Sequence, residues 1–179
     1  MNILKHPDIF LRLKSDEIKL PLTPEDKGLI NIMKKTMYEN NGIGLAAIQV
    51  GYQKRICVMD TTRSQSNPIV IINPQVVDSS EDHSEFTENC LSAPGINGYP
   101  RRNKWIKINY ICEHEKQITK TFYDLAAQCV QHEIDHMNGK LCIDYEKNKW
   151  TLNGYYFDGK NLYTLWEDDR GNVKQIKEK

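Results

Sequence analysis

"DLAAQCVQHEIDHMNG", residues 124–139, decides how the rest of the chain is read. Asp124 is expected to cap a helix that runs to about Asn138, with Gly139 as its stop. Within it, His132-Glu133-Ile134-Asp135-His136 has the form H-E-x-x-H. Residues four apart lie one helical turn above each other, so His132 and His136 present both imidazoles to one point. Glu133 lies beside them and reaches a water at that point without itself ligating. The bland alternative, a surface helix with incidental charges, fits poorly with a capped, amphipathic segment.

A catalytic metal site wants three protein ligands and an open position. Cys129 lies one turn before His132, but seven residues before His136, about 10.5 Å along a helix axis. A short cysteine side chain does not meet both histidines across that span, so Cys129 reads as a small apolar residue of a pocket floor. Downstream, Glu146 and Glu167 sit in no helical setting that would aim them back, and no histidine follows residue 136. That leaves an upstream ligand. Cys90, in "TENCLSAPG" (87–95), precedes a Pro-Gly break, and a strand end or turn there lets a thiolate point at a helix.

The surroundings are those of one soluble domain. The chain has 179 residues, and Lys+Arg and Asp+Glu both count 24, so no basic excess recommends nucleic acid. No stretch approaches the roughly 18 apolar residues of a membrane span, and "MNILKHPDIF" lacks a signal-peptide core. A cytoplasmic monomer is expected. The five cysteines form no C-x-x-C pair and read as thiols.

In "LTPEDKGLINIMKKTMYENNG" (22–42), Thr23 caps, Pro24 opens and "ENNG" stops a first helix, with Leu29, Ile30, Met33 and Met37 at helical spacing. "RICVMD", "PIVIINPQVV", "WIKINYICE" and "KQITKTFYD" read as strands. The fold class is therefore α+β, with mostly antiparallel sheets packed around the H-E-x-x-H helix. After residue 147 a β-meander is expected, with Asn153-Gly154, Asp158-Gly159 and Arg170-Gly171 as turns and Trp150, Tyr155, Phe157 and Trp166 seeking burial.

Three stretches in order, "GIGLAAIQV" (42–50), "ENCLS" (88–92) and "QHEIDHMNG" (131–139), together resemble the peptide deformylase family. The resemblance covers residues 1–147, a catalytic domain, and leaves 148–179 as an extension packed on it. It implies a hydrolase that removes the N-formyl group from the N-terminal methionine of nascent polypeptides and releases formate. Cys90, His132 and His136 would hold one divalent metal, Fe(II) first, with Zn, Ni or Co as substitutes. Glu133 would be general base and then acid, while the Gln49 amide and the Leu91 N–H would brace the oxyanion. Formylmethionyl nascent peptides, and the ribosome that presents them, would be partners.

Ile43 and Gly44 would pair an extended substrate, and Ile43, Phe86, Leu125 and Cys129 would wall the methionine pocket. Asn89 departs from the family's glycine. Asn tolerates the positive φ a glycine would allow, so Asn89 is expected to alter how peptide reaches the site. Gln128 is expected to turn off the reactive face, and Arg101 to pair with Glu88 and brace the Cys90 loop. Two rival classes stand beside this reading. A general H-E-x-x-H peptidase would use another third ligand, and a non-catalytic relative would lack a metal ligand, the base or Gln49.

Overall fold

The computed structural model describes residues 1–62, 64–145, 151–157, 162–167 and 173–177. Its first helix, α1 (Pro24–Glu39), begins where the punctuation places it. Thr23 Oγ1 accepts from the Asp26 N–H, and the Asp26 carboxylate accepts in return from the Thr23 N–H, a reciprocal capping box. Its stop falls within Glu39-Asn40-Asn41-Gly42, as expected. Asn41 takes the left-handed conformation at φ 55°, while Gly42 serves close approach: a Cβ there would meet Leu91 Cδ1 at 2.8 Å.

The four strand-like stretches lie in one antiparallel sheet, in the order β1 (Gly44–Ala46), β2 (Ile56–Met59), β3 (Ile69–Ser79), β8 (Trp105–Ile111) and β9 (Gln117–Tyr123). Alternation along β2 sorts its side chains to two faces. Ile56 and Val58 join Met33 and Met37 of α1, while Cys57 and Met59 join Val130 and Met137 of α2 (Asp124–Met137). Both faces of the sheet are covered, which is why β2 and the first half of β3 are continuously apolar.

Two short ribbons sit between β3 and β8: β4 (His83–Glu85) pairs β7 (Arg101–Asn103), and β5 (Glu88–Cys90) pairs β6 (Ala93–Gly98). Gln131 of α2 accepts from the Asn103 N–H and donates to the Asn103 carbonyl, each at 3.0 Å, so α2 is clasped between the large sheet and a ribbon. The α+β arrangement around a central helix is therefore present. Asp124 does not cap α2. The chain passes from β9 into the helix without a loop, Asp124 makes the turn itself at φ 49°, and no side chain caps the first turn. Gly139, at φ 75°, stops the helix as expected.

Beyond residue 150, β10 (Thr151–Phe157), β11 (Leu162–Glu167) and β12 (Val173–Lys177) form an antiparallel meander. Asn153-Gly154 is not a turn: it lies inside β10, where the register shifts between Leu152 and Gly154. The Asp158-Gly159 and Arg170-Gly171 turns and Trp150 lie outside the described residues, as do the side chains of Tyr155 and Phe157. Trp166 is half-buried, with the Lys174 ammonium over its ring. Among the described residues no helix is long and apolar enough to cross a membrane.

A polar knot pins the approach to β1. Asp60 is buried and accepts from Tyr38 Oη at 2.7 Å, Thr62 Oγ1 at 2.6 Å and the Asn67 N–H at 2.8 Å; its own N–H donates to the Ile43 carbonyl. Burial pushes the Asp60 carboxyl up, but these hydrogen bonds outweigh it and hold the group below the usual carboxylate range. A carboxyl depressed on folding stabilises above its unfolded value of about 3.9, and that contribution is lost as pH falls through the folded value. Tyr38→Phe is expected to cost about 1–2 kcal/mol at neutral pH. Asp60→Asn should flatten the acid limb of stability measured by urea melts at a series of pH values.

Candidate metal centre

α2 carries His132 and His136 on its inward side, and β5 delivers Cys90 opposite them. Cys90 Sγ lies 3.2 Å from His136 Nε2, and the two Nε2 atoms lie 3.1 Å apart. Two imidazole nitrogens on one tetrahedral ion would stand about 3.3 Å apart. His132 Nδ1 is engaged at 2.8 Å by Glu88 Oε2, so its Nε2 lone pair faces the sulfur and the other ring. Contacts to Cys142, His136 and His132 outweigh burial and hold the Cys90 thiol far below its ordinary range. Burial works against a charged His132, yet its contacts to Cys90 and Glu88 raise it well above the usual imidazole value. A thiolate and two inward nitrogens therefore converge on a space that calls for positive charge, which a divalent cation fits.

Glu88 is held by Arg102, not by Arg101. Arg102 donates from Nε to Glu88 Oε1 and from Nη2 to Glu88 Oε2, both at 2.9 Å, and from Nη1 to Asp135 Oδ2 at 2.6 Å. The reason is strand parity: Arg101 faces out of β7 and is exposed, and its neighbour faces in. Tyr145 Oη completes the cluster, donating to Asp135 at 3.1 Å. Burial pushes the Glu88 carboxyl up, but His132 and Arg102 bring it down to about 2.

Glu133 is buried beside the group, and its Oε2 has no hydrogen-bond partner among the described residues. Burial pushes its carboxyl up to about 7. The carboxylate lies against Gly44 of edge strand β1, where a Cβ would come within 2.2 Å of Glu133 Oε1. Gln49 Oε1 accepts the Ala46 N–H at 2.8 Å, which turns Nε2 toward Ser92 Oγ at 3.1 Å and Cys90 Sγ at 3.7 Å.

A cavity of about 540 Å³ opens on these groups. Leu91, Ile43, Gly44, Phe86, Asn89, Leu125 and Cys129 all line it. Cys129 is buried and its thiol donates to the Ile43 carbonyl at 3.4 Å. Gln128 lines the cavity too, contrary to the expectation that it turns away; it is only half-buried and α2 presents it at the mouth. Asn89 sits in extended β5 opposite Asn97, so a left-handed backbone is not what the position requires.

One feature escaped the sequence reading. The Leu4 N–H donates to the Gln49 carbonyl at 2.8 Å, the His6 N–H to the Ser92 carbonyl at 2.7 Å, and Lys5 Nζ to the Leu91 carbonyl at 2.5 Å. Residues 4–6 thus strap Gln49 to the loop after Cys90. No local pattern advertises such a strap.

A buried thiolate–bis-imidazole group, an unpartnered carboxylate and an apolar cleft define a metal-dependent hydrolase. The family model for polypeptide deformylase matches residues 1–150. Peptide deformylase 1 of Pseudomonas syringae pv. tomato is 38% identical over 151 residues, covering 83% of this chain and 88% of its own. The peptide deformylase of Rhizobium meliloti is 42% identical over 141 residues, covering 78% and 80%. Among solved structures, the Legionella pneumophila peptide deformylase superposes with a TM-score of 0.77 at 38% identity, over 82% of this chain and 85% of that one. The Thermotoga maritima peptide deformylase gives 0.76 at 34%, over 80% and 95%. The chain belongs to the polypeptide deformylase family, hydrolases that act on the formylated ends of nascent peptides.

Gly44→Ala tests the contact between β1 and the carboxylate. The added methyl should displace Glu133 and lower kcat/KM for formate release by about 10²-fold or more, while circular dichroism shows the fold retained.

Proposed function

We propose that the chain removes the formyl group from N-terminal formylmethionine, with Cys90, His132 and His136 holding one divalent ion, Fe(II) in the first instance. The observation that carries this is Glu133, a buried carboxylate with an open oxygen beside a three-ligand group. The ion supplies Lewis-acid polarisation and a competent nucleophile from water near neutral pH. Glu133 takes the proton from the attacking water and passes it to the leaving amine as formate departs. Gln49 Nε2, locked by the Ala46 N–H, donates to the developing oxyanion, and the Leu91 N–H is the second donor. Zn, Ni and Co suit the same donor set as substitutes.

Substrate adds to the free edge of β1 as an extended strand at Ile43 and Gly44, a mode the edge position supports. The methionine side chain enters among Ile43, Phe86, Leu125 and Cys129, all on the cavity wall. Residues 1–147 form the catalytic unit, in keeping with the 1–150 family match, and 148–179 an extension packed on it. On this reading the protein acts as a cytoplasmic monomer that meets nascent chains at the ribosome.

Formate release from a formyl-Met peptide by Fe(II)- or Ni-loaded protein tests the reading. Cys90→Ser should lose metal and activity together, whereas Glu133→Ala should keep metal and lose about 10²–10⁴ in rate. A metal-replete protein that releases no formate sinks it. Asn89, exposed on the cavity rim, should restrict peptide passage. Asn89→Gly should lower KM for longer formyl peptides with kcat unchanged, and identical kinetics would remove the rim from the specificity argument.

A further inference from the structure

Cys90 is not alone in its pocket. Cys142 opens the 3₁₀ turn Cys142–Asp144 that follows α2 and is 1% exposed. The turn is held from two sides. Arg12 donates to both Asp144 carboxylate oxygens, at 2.6 and 2.9 Å, and β6 lies so close that a Cβ on Gly98 would meet the Cys142 carbonyl oxygen at 2.0 Å. Cys142 packs with Cys90 and Ala93 in one small buried cluster. Its sulfur also lies within 4.8 Å of a His132 nitrogen and a Glu88 oxygen. Cys57, Cys112 and Cys129 belong to a separate part of the core. Cys90 lines the cavity and Cys142 does not, so a small reagent entering there meets Cys90 first. The hydrolysis gives Cys142 no part.

We propose that Cys90 and Cys142 are a reversible redox pair, in which hydrogen peroxide reaching the cavity oxidises Cys90 and Cys142 closes on it as an intramolecular disulfide. This rests on the reading of Cys90 as metal ligand. The Cys90 sulfur attacks one peroxide oxygen and the O–O bond breaks. The departing hydroxide takes a proton to leave as water, and Cys90 becomes a sulfenic acid. The Cys142 sulfur then attacks the Cys90 sulfur, the S–O bond breaks, and the Cys142 proton leaves with the hydroxide as a second water. In sum, two thiols and one peroxide give one disulfide and two waters. The disulfide removes the thiolate from the metal, yet thiol reductant restores it. Without Cys142 the sulfenic acid is open to the sulfinic and sulfonic acids, which thiols do not reverse.

The test treats metal-loaded protein with hydrogen peroxide, then alkylates free thiols in denaturant, maps peptides by mass spectrometry and follows released metal with a chromogenic chelator. Wild type should lose two thiols per chain as a Cys90–Cys142 linked peptide and release its metal, and dithiothreitol followed by fresh metal should restore binding. Cys142→Ala should lose one thiol, carry higher oxides on Cys90 and fail to recover. Wild type that accumulates Cys90 sulfinic acid with Cys142 still alkylatable, or that links a different pair, overturns the proposal. The mapping needs no turnover. A linked peptide in protein that releases no formate therefore supports the redox pair while the functional reading alone fails.

Discussion

The site depends on one buried guanidinium. Arg102 joins Glu88, two residues before the sulfur, to Asp135, one residue before the second histidine. Ribbon and helix meet through side chains, and this bridge fixes the Cys90 strand against the helix that carries both imidazoles. Such an arrangement gains little over an apolar core of equal volume, because three charges are taken from water. Removing one member is another matter, since it strands the others unpaired, at a cost of about 3–5 kcal/mol. The cluster is better understood as geometry than as stability. It makes the ligand positions a property of the packed body instead of a loop.

How much of this was legible in the sequence follows a physical rule. Features generated by short-range periodicity were readable: the i, i+4 histidines, the Thr23 cap, the Gly139 stop and the four long strands. Features set by one-residue parity or long-range contact were not. Arg101 and Arg102 are adjacent and chemically identical, and only the register of β7 decides which turns inward. Asn153-Gly154 has the composition of a turn, but pairing with β11 absorbs it as an irregular step. Asp124 has the composition of a cap, but β9 runs into α2 too directly for a capping residue to fit. Lys5 and Leu91 are 86 positions apart, and nothing local to either announces the other.

Small residues carry as much of the site as charged ones. Gly42 lets Leu91 close on the end of α1, and Gly44 leaves room for a carboxylate against an edge strand. The same edge strand is steadied from behind by the Asp60–Tyr38 knot, through the Ile43 carbonyl. An open edge and a stiffened one are thus divided between the two sides of one short strand.

The strap of residues 4–6 has a consequence for the order of assembly. Its hydrogen bonds reach Gln49 and the loop after Cys90, while Arg12 reaches Asp144 on the far side of the helix. Parts from the beginning, middle and end of the 1–145 stretch must all be present before the pocket takes shape. Contacts of such long separation form slowly. During synthesis the pocket can therefore close only after the last of these segments has been made.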